Sequence, residues 1–498
     1  MKRFFTLVVI AASTWALIPR PAPGAEDEPA AGPPAPEKNE TDSANKTQAE
    51  KKPLRLSLED LTRRALSNSH SLAAERHRLA AMEAKVEQAF WAPFSKFTLG
   101  GAFTMVPDKC FDTTALEEDG VLRDCEGGAV EAEENWMKKE WGPSFHLELK
   151  GGVPIYTFGK ISSAKDALGH ARDAKEANLP ALRNRIRADV ARAYHAIIGA
   201  REMLYTIGEG RKHLVKARKR LERDLEKQEG NETQVDLIKL KVFESEIDHL
   251  ESQTRKIEQT ALAALRFLAG GPDAERLDVP DVPQQRVERE LEPLEEYLDR
   301  SLHHRPELKA IKLAVKALES KVDLQRAQFW PDLAIVLSLR YGYTPGRTDV
   351  RNWVLEDNYN YGNWIPGVAL SLKYDLDWGL DIYRLDEAKA ELTALVAERQ
   401  EALDAVLLEV RTTYLEVSGS RDSIEDLERS KRLVKGWIAA VTQGHAAGLN
   451  SSKDVKDALK EYFKVMAEMH QSIGEYNAGL AELDRVTGIT EEPEKRER

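Results

Sequence analysis

Apolar residues recur seven apart along two stretches of the chain: Ile186, Ala193, Ala200, Ile207, Leu214 and Leu221, and later Leu403, Val410, Val417 and Ile424. In the first stretch Val190, Ile197 and Leu204 add the position four residues on. This spacing, with charges elsewhere, predicts coiled-coil helices. The first spans Gly159 to Gly230, and at 1.5 Å per residue its length is on the order of 100 Å. Gly199, Gly208 and Gly210 weaken it locally, because glycine is costly inside a helix. A period of two appears elsewhere. Phe97, Leu99, Phe103 and Met105 alternate with Thr98, Gly100 and Thr104, and "SFHLELKGG", "DLAIVLSLRYGY" and "GVALSLKYDLD" alternate similarly. Four half-buried strands follow, in two hairpins around the polar loops 106–140 and 344–363. A helix is expected before each hairpin, Leu58 to Trp91 and Leu294 to Trp330, with Pro93 and Pro331 beyond their ends.

The elements occur twice in the same order. "EAKVE" at 83–87 returns as "ESKVD" at 319–323, Val190, Tyr194 and Gly199 return as Val410, Tyr414 and Gly419, and Phe158-Gly159 as Trp378-Gly379. Gly230, Thr233, Asp236, Leu265 and Gly270 match Gly448, Ser451, Asp454, Leu483 and Gly488 at a constant spacing of 218. The chain therefore reads as two structural repeats, 54–270 and 293–490, joined by a linker at 271–292 and followed by a short charged tail at 491–498.

Residues 1–25, basic at the start, apolar from Phe4 to about Ile18 and small-residued after, form a secretory signal peptide. Residues 26–53, rich in Pro, Ala, Glu, Lys and Asn, read as a disordered leader. Removing the signal takes away Lys2, Arg3 and Arg20 and no acid, moving the net charge from −12 to −15; nucleic acid is not an expected partner. Cys110 and Cys125, close together in an exported chain, suggest a disulfide, with two free thiols as the alternative. Neither follows the signal, so no N-terminal lipid anchor is expected. His303 and His304 sit at a helix start beside Arg305-Pro306 and read as surface or capping residues. No nucleophile, base and orienter occur together, and the glycine pairs lack a phosphate-binding context. No enzyme activity, metal or cofactor is expected.

With 31% charged residues, the chain is poorly suited to one large core, and past the signal no stretch is apolar enough for a membrane-spanning helix. Any membrane segment must consist of strands. Seven tryptophans, Trp91, Trp136, Trp141, Trp330, Trp353, Trp364 and Trp378, flank strand ends, as interfacial aromatic belts do and as ordinary packing at sheet ends also does. Four strands are too few for a closed barrel, which needs at least about eight. An open sheet would leave edge groups unpaired in lipid, so such strands require oligomerisation.

The doubled order of elements, the segments "YTFGK" and "LDWGL", and "GLNSSKDVKDA" at 448–458 resemble the TolC-type outer membrane efflux proteins over about residues 54–490. The resemblance implies a membrane β-barrel joined to an α-helical coiled-coil barrel. It further implies a homotrimer with one twelve-stranded barrel in outer membrane lipid of a Gram-negative bacterium and a long periplasmic tunnel. The tunnel tip would dock a periplasmic adaptor (membrane fusion) protein and an inner-membrane pump. The duct would be a passive exit for tripartite efflux or type I secretion. An exported coiled-coil adhesin or spacer without a lumen is the competing reading.

The resemblance places two turns at the tip, one with Gly230, Thr233 and Asp236 and one with Gly448, Asn450 and Ser451, and Asp454 and Asp457 at the tunnel mouth. Three copies would give two carboxylate rings able to attract cations. The alternative is that these acids only favour a helix N-terminus. The best-known members close the mouth with a tyrosine and an arginine against an aspartate. Here those positions hold His445, Asn450 and Asp236, and His445 suggests a pH-dependent gate.

Overall fold

The computed structural model describes residues 53–94, 96–107, 111–112, 123–124, 141–227, 233–343, 364–447 and 449–489. The expected signal peptide, nearly all of the leader, Cys110, Cys125, Gly230, Gly448 and the tail lie outside the described residues.

The helix expected over Leu58 to Trp91 is two helices, α1 (Leu58–Asn68) and α2 (His70–Trp91), with Ser69 between them capping the Leu72 N–H. Its counterpart is likewise α5 (Leu294–His304) and α6 (Pro306–Ala327). Pro306 forces this second break, since its ring cannot continue an existing helix but suits a first turn. Each break receives the end of another helix. In the first repeat α3 (Lys160–Lys227) and α4 (Gln234–Ala269) follow the hairpin, and in the second α7 (Trp378–Ala446) and α8 (Ser452–Thr487). Asn68 Nδ2 donates to the last carbonyl of α4, at Ala269, over 3.0 Å. Gly488 closes α8 in the left-handed region, and a Cβ there would lie 2.7 Å from the His304 carbonyl oxygen.

α3 has 68 residues and α7 has 69, about 100 Å each at the helical rise. Near the hairpins they pack beside α2 and α6; farther on they pack beside α4 and α8. The layer is thus four helices wide in both halves. The heptad residues Ile186, Val190, Ile197, Ile207, Leu214 and Leu221 of α3, and Val410, Val417 and Ile424 of α7, are buried. Leu204 gives way to Met203 as the buried position, because a straight helix drifts against a seven-residue repeat.

The strands are β1 (Leu54–Arg55), β2 (Phe97–Pro107), β3 (Phe111–Asp112), β4 (Arg123–Asp124), β5 (Trp141–Tyr156), β6 (Leu277–Asp278), β7 (Asp332–Tyr343) and β8 (Trp364–Lys373). β1 pairs with β6 in parallel, so the start of the first repeat is tied to the linker. The long strands form one antiparallel sheet in the order β2-β5-β7-β8. Residues in register share a face. One face carries Leu99, Leu149 and Leu339 in one row, Phe97, Leu337 and Val368 in the next, and Phe103, Phe145 and Tyr343 toward the far end. The other carries Thr98, Lys150 and Ser338, then Glu148 and Arg340, paired at 3.5 Å. The apolar face is uncovered: Phe103 is 70% and Val368 75% exposed.

At the helix end of the sheet stand Trp91, Phe94, Tyr156, Phe158, Trp330, Tyr374 and Trp378, all exposed. The "FG" of the first repeat is a sharp strand-to-helix turn with Phe158 at φ 50° and Gly159 at φ 94°. Phe158 holds this costly conformation while stacked on Trp330, with centroids 5.4 Å apart. "WG" differs: Trp378 and Gly379 lie within the first turn of α7, which Asp377 precedes as N-cap. The sequence echo is therefore not an echo of backbone conformation.

Candidate functional site

The end of the molecule opposite the sheet is built from two turns and the helices that leave them. Thr233 caps α4: its hydroxyl accepts from the Asp236 N–H at 3.3 Å, and Asp236 Oδ2 accepts from the Thr233 N–H at 3.1 Å. Ser451 caps α8 in the same way, with Asp454 N–H to Ser451 Oγ at 3.4 Å and Ser451 N–H to Asp454 Oδ2 at 2.9 Å. Both are capping boxes, each satisfying two backbone donors that a helix start would leave orphaned. The constant spacing of 218 residues is thereby a spacing between equivalent caps, and α4 and α8 are both 36 residues long.

The caps hold their carboxylates ionised. Asp236 lies below the usual carboxylate range because the Thr233 hydroxyl and then Lys239 donate to it. Asp454 is lowered first by the Ser451 N–H and then by the Ser451 hydroxyl. Asp457 is placed differently. Its side chain is 43% exposed and forms an ion pair with Lys456 at 3.2 Å. Within one chain Asp454 is thus spent on a cap while Asp457 remains at the surface.

The two turns pack on a shared apolar base in which Leu221, Leu240, Val441, Val455 and Leu459 are buried. Above it Asp236, Lys239, Lys453 and Lys456 converge around a small cleft. By spacing alone the sequence marks Lys239 only as the counterpart of Asp457, 218 residues earlier, and marks neither Lys453 nor Lys456.

His445 lies at the end of α7, buried, with Nδ1 donating to the Asn450 carbonyl oxygen at 2.9 Å. Its Nε2 is buried without a hydrogen-bond partner among the described residues. Asn450 also packs on Gly444, where a Cβ would sit 2.6 Å from the Asn450 amide nitrogen. No hydrogen bond or ion pair joins His445 to Asp236 among the described residues. Nor do those residues contain a cluster of three or more acids, histidines or cysteines able to hold a metal within one chain.

Residues 297–489 match the family model "Outer membrane efflux protein". The alkaline protease secretion protein AprF of Pseudomonas aeruginosa is 23% identical over 273 residues, and the match covers 53% of each chain, so the chain spans about half the length of this curated relative. The crystal structure of the outer membrane protein VceC of Vibrio cholerae is similar with a TM-score of 0.69 at 20% identity, over 86% of this chain and 96% of that one. The open-state MtrE outer membrane channel of Neisseria gonorrhoeae gives 0.68 at 17% identity, over 86% and 88%. The match to the outer membrane efflux protein model thus covers residues 297–489, and over 86% of its length the chain has the fold of the channels to which it is similar.

Proposed function

We propose that this chain is one subunit of a homotrimeric outer membrane channel-tunnel, the passive exit duct of a tripartite efflux or type I secretion system in a Gram-negative bacterium. The observation that carries the reading is the sheet. Its strands of 10 to 16 residues have the length to span a bilayer when tilted. One face is apolar and uncovered, the other polar, and β2 and β8 are left as edges. Lipid covers the first face, water fills the second, and neighbouring copies pair with the edges, giving twelve strands.

The helices support the same arrangement. α4 and α7 are the margins of the distal half of the layer, and both expose apolar residues, Ile257 and Phe267 on α4 and Leu408, Leu415 and Leu433 on α7. A 790 Å³ groove between α3 and α4, lined by Ala193, Ile257, Ala261 and Phe267, faces outward. A second copy would cover it, closing the layer into a tube head to tail. The paired tips would then form the periplasmic mouth, where an adaptor docks against the turns at Thr233, Asp236, Asn450 and Ser451. Asp454 and Asp457 would ring the entrance as a cation-attracting constriction. His445, with its unpartnered Nε2 beside the Asp454 cap, and Asp236 would serve as gate residues.

Planar-bilayer recording of the purified protein tests the reading. Discrete channels are expected, with cation preference and multivalent-cation block reduced in Asp454→Ala/Asp457→Ala. A protein that inserts but never conducts, in wild type and tip variants alike, would refute a duct and favour a lumenless spacer. Conductance with unchanged selectivity and block would leave Asp454 a helix cap and Asp457 a surface acid with no part in the mouth.

A further inference from the structure

The segment between β6 and α5 is a strap laid across the helical layer and fastened by side chains of α8. Asn477 Oδ1 accepts from the Val287 N–H at 2.9 Å while its amide donates to the Gln285 carbonyl at 2.8 Å. The Tyr476 hydroxyl donates to the Arg289 carbonyl at 3.1 Å, and Arg289 pairs with Asp484 at 2.9 Å.

The upper fastening is a buried histidine. Gln284 enters a notch between α3 and α8 beside two glycines: a Cβ on Gly199 would crowd its Nε2 at 3.2 Å, while one on Gly474 would meet it at an ordinary 3.6 Å. There Gln284 Nε2 donates to the His470 carbonyl at 2.9 Å, and Gln284 Oε1 accepts from His470 Nδ1 at 2.8 Å. With its proton on Nδ1, the neutral ring leaves Nε2 to accept from the Thr206 hydroxyl, 3.4 Å away. The Gln284 N–H donates to Glu202 at 3.3 Å.

The charged and titratable groups around this notch come from four elements. α3 supplies Glu202 and the half-buried His195, α7 supplies Lys431 with Lys435 and Glu428 next to it, the strap supplies Arg286, paired with Glu425 of α7, and α8 supplies His470 itself. The charge that acts on His470 is the Lys431 cation, while Glu202 holds the strap.

We propose that the Gln284–His470 contact is an acid-released latch: a proton taken up at His470 Nε2 leaves Nδ1–H donating to Gln284 but buries a positive charge beside Lys431, a cost relieved when Gln284 leaves the notch, admits water to the ring and frees residues 281–290 from α3 and α8. Burial, then Lys431, hold His470 down at about 4, and burial alone holds His195 at about 4. Once the strap is open His470 regains its ordinary value near 6.5. The open form therefore binds more protons between these values, and falling pH favours release. The latch is fastened at neutral pH and loosened in acid, whether or not the assembled protein conducts.

Hydrogen exchange of the full chain in detergent micelles tests this, read on the 281–290 peptide at pH 7.5 and 5.0 with each rate divided by the intrinsic rate at that pH. Protection in wild type should fall by about 30-fold at pH 5.0, the ratio set by a histidine near 4 closed and 6.5 open. A helical peptide from α3 serves as the internal reference. His470→Gln, which cannot titrate, should abolish the pH dependence. Should that variant fail to fold, Gln284→Ala should leave the strap weakly protected at both pH values. Wild-type protection unchanged between the two pH values would overturn the latch, as would a full pH response retained in Gln284→Ala.

Discussion

Two glycines of α3, only two residues apart, should respond to the same substitution with opposite sign. At Gly208 a Cβ meets nothing within 4 Å. Gly208→Ala then gains the intrinsic helix preference of alanine, about 0.8–1 kcal/mol. Gly210 has the same preference to gain, but its Cβ would lie 2.1 Å from Phe463 Cζ. Phe463 is 3% exposed and packed near Phe243, ring centroids 6.4 Å apart, so the ring cannot swing into solvent. Overpacking of this kind costs about 1–3 kcal/mol, and a gap far below van der Waals contact belongs at the upper end. Net destabilisation of about 1–2 kcal/mol is expected for Gly210→Ala. Amide exchange across residues 203–214 reads both effects locally: protection should rise about 4-fold in the first variant and fall by about 5- to 30-fold in the second. Gly210→Ala/Phe463→Leu, which removes the opposing ring edge, should recover part of the loss. Equal and same-signed changes in the two single variants would refute the idea that Gly210 exists to seat Phe463.

Other consequences are similarly concrete. Ser451→Ala removes one cap and should cost about 1 kcal/mol, seen as faster exchange in the first turn of α8 with the rest of that helix unchanged. Glu409 joins Arg305, itself only 5% exposed, to Arg485; burial pushes its carboxyl up, but the Arg305 charge and the Arg485 hydrogen bond outweigh this and leave it lowered. A lowered carboxyl contributes stability above its unfolded value of about 4.3 that disappears as pH falls through the folded value. Glu409→Gln should therefore destabilise the helical layer at pH 7 by about 1–2 kcal/mol, discounted because the Glu409 side chain is 38% exposed, and the difference in denaturant midpoint should shrink as pH falls through the folded value. Gly151→Ala, whose Cβ would meet the Phe97 ring at 2.1 Å, should lower the yield of inserted channels by spoiling the β2–β5 pair.

The long elements could be read from the chain because their signals are periodic and local. The seam from Ile186 to Leu221 and the alternation of Phe97, Leu99 and Phe103 each state which side must be covered. The duplicated turn was also legible, as Thr233 and Ser451 stand three residues before an acid in both copies. The breaks at Ser69 and Arg305 were not, although Pro306 announced one of them. Each depends on a partner helix ending there, at Gly270 or Gly488, which is information some 200 positions away. The same distance hid the strap: nothing in "PDVPQQRVERE" indicates that Gln284 will meet His470. At the tip, the sequence grouped Asp454 with Asp457 by spacing, whereas the folded chain commits the first to Ser451 and leaves the second beside Lys456. Helical spacing gives a shared face but not the hydrogen bonds made there.

The order of strands in the sheet has a kinetic meaning as well. β2 and β5 are antiparallel neighbours close in sequence, as are β7 and β8, so each pair forms as a local hairpin. Joining the hairpins places Phe145 opposite Tyr343 and brings together segments separated by the whole of α3 and α4. Contacts of such sequence separation form slowly, whereas long helices form from near neighbours. The helices are thus expected to exist before the sheet does, and the two hairpins to wait, apolar face bare, until α3 and α7 have packed. During that interval the chain is at its most prone to clump, and any escort of the unassembled chain has to shield the strands rather than the helices.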